Sequence, residues 1–309
     1  MPTIAEDQLN AWTSPAFGNE DERRESTEKL ISEAIEAHGF LSTLPLKIYA
    51  KGSYKNNTNV RRDSDVDVAV EYTDILMFDY QGGATQEMAW QARGIEPYSG
   101  PLLATGGGFD IDRFKDSIGE ALSGAFGRQA VTRSNKVFTV RESSRSLAAD
   151  VVPCTTHDQH YSATGYHRGI QLLADKEPRR SVVNYPQQHY DNGVAKNKAT
   201  SKRFKSVVRI LKNLENRMVD DGASPVVASY MIESLAWNAP DHLFLGPPTW
   251  GGRTREVLAH IWGDTEDSES EKRWVEVNDI KYLFHPTQRW TRQEARNFVH
   301  AAWQYVEKS

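Results

Sequence analysis

Cysteine is almost absent: Cys154 is the only one in a chain of 309 residues. One thiol cannot build an internal disulfide framework, which points to a protein of the reducing cytoplasm held together by packing. Long apolar runs are missing as well. No stretch of about 18 apolar residues occurs, which excludes a transmembrane helix; no membrane partner is expected. The opening residues, Met1 to Asp7, carry neither a basic nor an apolar leader, which argues against secretion. Positive charge is not in surplus either. Against 37 Lys and Arg stand 42 Asp and Glu, a formal net charge of −5, so a general nucleic-acid coat is disfavoured while one local basic site is not. There is no solenoid-spaced repeat and no Gly-x-Ser-x-Gly elbow. Neither a Walker lysine nor a Gly-x-Gly-x-x-Gly accompanies Gly106-Gly107-Gly108, which reads as a flexible loop.

What is present is ordinary globular composition, 39% hydrophobic and 26% charged, enough for one large domain or two joined lobes. Residues 20–38 predict a helix: acids open it, Leu30, Ile31, Ala34 and Ile35 give an apolar face, and Gly39 ends it. A strand is expected over Leu46 to Ala50, then a loop or short helix over 51–64, then an alternating strand over 65–70. Turn formers over 81–108 indicate an irregular excursion. A helix over 110–123 and strands near 136–141 and 147–152 complete the front. The second half changes to helical periodicity over 201–219, 225–237 and 291–306, interrupted by a five-acid stretch over 264–271 that reads as a solvated loop. Tryptophans 237, 262, 274, 290 and 303 fall in helical context and are expected in the core.

Asp65 and Asp67 form the most informative pair. Two residues apart on a strand, they project to one face while Val66, Val68 and Val70 turn to the core. Adjacent carboxylates repel, and holding both ionised calls for a cation; oxygen ligands at this density suit Mg²⁺. Taken alone, the same alternation describes an amphipathic edge strand with solvent-facing acids. Two neighbours favour the cation. Upstream, Gly52-Ser53 follows a predicted strand, where glycine permits close backbone approach and Ser53 can hold phosphate oxygens. Downstream, Asp150 interrupts the apolar run Leu147-Ala148-Ala149-Asp150-Val151-Val152, a costly place for an unpartnered carboxylate. Cys154, His157, His160 and His167 offer too few ligands for structural zinc and read as exposed polar residues.

From Ala195 to Lys212 there are seven basic residues and no acid. On a helix Lys205, Arg209 and Lys212 share a face, where like charges repel unless an anion joins them. A triphosphate is such an anion; a solvated basic face is the alternative.

A Gly-Ser turn, Asp-x-Asp on a strand and a distant third Asp resemble the polymerase-β-like nucleotidyltransferases. Gly52-Ser53-Tyr54-Lys55-Asn56-Asn57-Thr58 leading into Asp63-Ser64-Asp65-Val66-Asp67 resembles the bacterial cGAS/DncV-like members, and among them the CdnE-type synthases of cyclic dinucleotides. Asn184-Tyr185-Pro186 and His189 to Gly193 belong to the same resemblance, which spans about residues 47–240. Lys51 departs from it, since many relatives of the wider superfamily have an apolar residue before the glycine. The resemblance implies an α+β fold: a palm with a mixed sheet over 1–185, a helical lobe over 186–309, and the active site in the cleft between them. It implies two Mg²⁺ ions, replaceable by Mn²⁺, on Asp65, Asp67 and Asp150. Gly52, Ser53, Lys205, Arg209, Lys212 and Ser229 would bind nucleotide, Ser229 by matching a serine that assists the lysine in the animal enzyme. The reaction would join two nucleoside triphosphates into a cyclic dinucleotide for antiphage signalling through a separate effector. Transfer to an RNA or protein acceptor and a non-catalytic nucleotide-binding regulator are the alternatives. No zinc-ribbon cysteines occur, so no nucleic-acid activator is expected.

In CdnE-type synthases an asparagine after the third aspartate goes with uracil. Val151 to Val183 contains none, and Ser162 and Thr164 cannot pair with a base edge bidentately. ATP is therefore expected in at least one pocket, and synthesis from pyrimidines alone is not.

Overall fold

A computed structural model describes residues 4–15, 20–60, 65–80, 110–144, 146–162, 164–175, 181–223, 226–266, 273–285 and 288–306. The whole 81–108 excursion with its glycine run at 106–108, most of the acidic stretch over 264–271, and Asp63 and Ser64 lie outside these. The chain divides into two compact units. One gathers Gly18–Gly52 and Asp65–Pro186; the other gathers Met1–Phe17, Ser53–Ser64 and Gln187–Ser309.

The first unit is built on a mixed sheet. Its described strands are β1 (Leu46–Lys51), β2 (Val66–Tyr80), β3 (Val131–Arg133), β4 (Phe138–Val140), β5 (Ala149–His160), β6 (Tyr166–Leu173) and β7 (Ser181–Asn184). They run in the order β1-β2-β5-β4-β3, with β6 paired to the far half of β5 and β7 to β6. Only β2 and β5 are parallel. These two central strands are rich in valine: Val66, Val68, Val70, Val151 and Val152 are all buried, as branched side chains on a pleated, covered surface should be. Two helices accompany the sheet, Glu20–Glu36 and Ile111–Phe126. Asp110 caps the second, its carboxylate accepting the Arg113 N–H at 3.0 Å, and Phe114, Ile118 and Leu122 form its buried stripe.

The second unit is helical. Its core lies along the helix Arg203–Asp220, where Phe204, Val207, Val208, Ile210, Leu211, Leu214 and Met218 are completely buried. Around it stand Pro186–Ala199, Ser229–Asn238, Asp241–Leu245, Trp250–Asp264 and Arg292–Val306. The helix Glu6–Ala11 joins them: Leu9 enters this core, the Ile4 N–H donates to Tyr305 O, and Glu6 accepts the Trp250 and Gly251 N–H groups. A division at residue 185 therefore leaves out two segments that pack with the helices, 4–15 and 53–60. Trp274 is buried and Trp237, Trp290 and Trp303 pack on the core, but Trp262 is 40% exposed and lies under the Arg296 guanidinium. Among the described residues no helix is long and apolar enough to cross a membrane.

Candidate active site

The acidic residues are organised by strand register. Lys51 pairs with Asp67 across β1 and β2, Asp67 with Asp150 across β2 and β5, and Asp150 with Thr139 across β5 and β4. Paired residues on adjacent strands project from the same face, so these four side chains form one row across four strands. Asp65 immediately precedes β2, exposed and two residues before Asp67. The resulting order is ammonium, carboxylate, carboxylate, hydroxyl. Lys51 Nζ donates to Asp67 Oδ1 at 3.2 Å, and Thr139 Oγ1 donates to Asp150 Oδ1 at 2.7 Å.

Gly52 closes over Asp67 from the end of β1. Its φ is +71°, and a Cβ there would lie 1.9 Å from Asp67 Oδ2. Both facts demand glycine: an L side chain would be strained in this conformation and would collide with the carboxylate. Among the described residues no three His, Cys, Asp or Glu side chains converge as a ready-made metal cage. The donors are nevertheless all hard oxygens, which fits a divalent cation that keeps several waters and takes further ligands from phosphate.

The basic residues belong to the helical unit, where their surroundings differ. Lys205 and Lys212 are buried in the helix Arg203–Asp220, with only 2% of Lys212 exposed. Burial pushes the Lys205 ammonium pKa down, against the opposing pull of Glu233. Glu233, on the helix Ser229–Asn238, lies in the field of Lys205 and Lys212; its carboxylate accepts from His189 Nε2 at 2.9 Å and from Thr58 Oγ1 at 3.0 Å. Burial alone would raise its pKa; the His189 charge and hydrogen bond, the Lys212 charge and the Thr58 hydroxyl prevail, bringing it down to about 2. Ser229 opens that helix, one turn before Glu233. Ser53 starts the segment that carries Thr58, and its carbonyl accepts the Thr58 N–H at 2.9 Å.

Arg209, expected at phosphate, is bound by groups of the protein itself. Its Nε donates to Thr13 O at 2.6 Å, Nη1 to Asn57 O at 2.5 Å and Nη2 to Ser206 Oγ at 3.2 Å. A buried guanidinium so engaged fastens the 53–60 segment to the helix, and burial lowers its pKa to about 10. The Cys154 group also departs from expectation. Cys154, His157 and His160 are buried in β5 and not exposed, because β5 runs well past the valines between β2 and β6; burial raises the Cys154 thiol pKa. Ser162 Oγ accepts the Gly165 N–H at 2.8 Å in the β5–β6 turn, so this hydroxyl is occupied by backbone.

Thr139, His189 and Glu233 escaped the sequence reading, and Lys51, which stood out there only as a departure at the turn, touches a carboxylate. Lys51 and Thr139 become visible only with strand register. His189 lay within a stretch already conspicuous by its resemblance, and Glu233 sits one turn after Ser229.

Residues 191–307 match the family model of the cGAS/DncV-like nucleotidyltransferase C-terminal helical domain. The cyclic dipyrimidine nucleotide synthase CdnE of Cecembia lonarensis is 33% identical over 309 residues, covering 99% of this chain and all of the relative. The Rhodothermus marinus CdnE c-UMP-AMP synthase, solved with Apcpp and Upnpp, superposes with a TM-score of 0.80 at 27% identity, over 99% of this chain and 97% of that one. The Elizabethkingia meningoseptica CdnE cyclic dinucleotide synthase, solved with GTP and Apcpp, gives 0.78 at 29% identity, over 98% and 99%.

Proposed function

Because the chain belongs to the cGAS/DncV-like nucleotidyltransferases, among the CdnE-type enzymes, we propose that it joins two nucleoside triphosphates into a cyclic dinucleotide. The row that sets Asp67 beside Asp150, with glycine required at 52, carries this reading. Asp65, Asp67 and Asp150 would hold two Mg²⁺ ions, with Mn²⁺ as substitute. When bound, these supply charge stabilisation at the phosphoryl oxygens and a more acidic attacking hydroxyl.

The protein's own part is placement. Thr139 fixes the Asp150 carboxylate, and Gly52 lets the backbone approach the carboxylate row. Lys205 and Lys212 present desolvated side chains to triphosphate, in the field of Glu233. Ser53 and Ser229 lie on the segments that Thr58 and Glu233 link. Arg209 acts on nucleotide through the 53–60 segment.

The named relatives differ in base, one being a dipyrimidine and another a UMP-AMP synthase. For this chain we infer ATP in at least one pocket, since Val151 to Val183 lacks an asparagine. The signal would pass to a separate effector in cytoplasmic antiphage defence, without a nucleic-acid activator.

The decisive experiment incubates the pure protein with four labelled triphosphates and Mg²⁺. A phosphatase-resistant cyclic product without added acceptor is expected. Transfer only to RNA or protein, or binding without turnover, would overturn the reading. A product built solely from UTP would refute the base inference alone.

A further inference from the structure

The row across β1, β2, β5 and β4 places a lysine where its ammonium faces the same carboxylate that would serve a metal. Asp67 has two oxygens: Oδ1 accepts from Lys51 Nζ, and Oδ2 lies close over Gly52, where any Cβ would collide with it. The Lys51 side chain is only 15% exposed, so the ammonium is held inside the row.

The physical need for it is clear. Asp67 and Asp150 are direct neighbours on adjacent strands, and like charges so placed repel. Thr139 gives Asp150 a hydrogen bond but no charge. Lys51 is the cation on this row.

The two sides of Asp67 do not yield equally. The Gly52 backbone is fixed at the end of β1, whereas the lysine ammonium sits on a four-carbon stem that can swing away. We propose that Lys51 is an internal counter-cation of the carboxylate row, displaced from Asp67 when a divalent cation binds. The inference rests on the preceding reading only for the use of these carboxylates by a metal. Binding the ion then costs the loss of one ion pair, so metal alone binds weakly and triphosphate must bring part of the coordination.

The test measures binding of Mn²⁺ without nucleotide, by calorimetry and by the free-ion paramagnetic resonance signal. It compares the wild-type protein with Lys51→Met, Lys51→Arg and the double variant Lys51→Met/Asp67→Asn. Methionine keeps the stem's length and removes the charge. Lys51→Met is expected to bind Mn²⁺ roughly tenfold tighter, a modest share of the repulsion between an ammonium and a divalent ion competing for one carboxylate. Lys51→Arg should stay near wild type, and the double variant should lose the gain. Equal or weaker binding by a folded Lys51→Met protein would overturn the proposal, as would tightening that survives Asp67→Asn. Circular dichroism and thermal melts without metal establish that each variant is folded. None of these readouts requires synthesis, so a protein that makes no cyclic dinucleotide would still decide the point.

Discussion

Single residues carry the sharpest expectations. Asp67→Asn and Asp150→Asn should each abolish product while leaving the fold intact. Neutralising one carboxylate of an adjacent pair relieves repulsion, so the thermal midpoint without metal should hold or rise for Asp150→Asn. Chromatography of products and a thermal melt check both halves; full activity in either variant would remove these carboxylates from the chemistry. Glu233 gives a pH dependence of definite sign. Its pKa falls from an ordinary 4.5 to about 2 in the folded protein, so its contribution is present above about pH 4.5. As the pH falls from there towards 2, the unfolded chain takes up the proton first and the contribution is lost; the depression corresponds to on the order of 3 kcal/mol. Urea unfolding of Glu233→Gln should therefore show lower stability at pH 7 and a flatter loss between pH 5 and 3 than wild type. An unchanged slope would mean that the buried carboxylate is not held as a charge. Asp65, Asp67 and Asp150 stood out in the sequence because their chemistry is conspicuous against apolar neighbours. The place of Lys51 and Thr139 beside them did not, because nothing in a linear chain tells which residues of β1 and β4 share a row with them.

At the scale of elements, periodicity located five helices to within a few residues, left Pro186–Ala199 and Trp250–Asp264 unpredicted, and missed what depends on partners. The strand expected over 65–70 continues to Tyr80, and that expected near 147–152 continues to His160. In β5 the continuation is polar, Thr155-Thr156-His157-Asp158-Gln159-His160, yet wholly buried. Pairing with β2 and β6 overrides the pattern there, since those neighbours supply polar partners: Thr156 Oγ1 donates to Glu71, and Arg168 makes two hydrogen bonds to Asp158. The helix Arg203–Asp220 divides its cations in a way that a wheel cannot reveal. Lys212→Ala should weaken triphosphate binding about tenfold or more, and more than Lys205→Ala. Arg209→Ala should instead show mainly as lost stability, about 2 kcal/mol, because two backbone carbonyls lose a charged donor. Nucleotide titration beside denaturant unfolding separates the two outcomes. Equal, negligible binding changes in both lysine variants would return the lysines to a merely structural role.

For the whole molecule, the balance of charge bears on activation. With a net charge of −5 and the main run of cations drawn into the helical unit, duplex DNA or RNA at physiological salt should leave the synthesis rate unchanged. Stimulation by either would contradict this. The architecture also sets a timetable. The strands β2 to β7 lie in one continuous span, whereas the helical unit needs three separate stretches of chain. Its ties are remote in sequence: Arg209 reaches Thr13 across 196 positions, and Trp250 reaches Glu6 across 244. Closing such loops is slow. A nascent chain thus completes the strands that bear its acids while the amino-terminal helix still waits for partners not yet synthesised. Pulsed hydrogen exchange during refolding should find β2 and β5 protected before the Arg209 contacts form. Enzymatic competence then arrives last, and a chain interrupted during translation carries acids but no assembled grip on nucleotide.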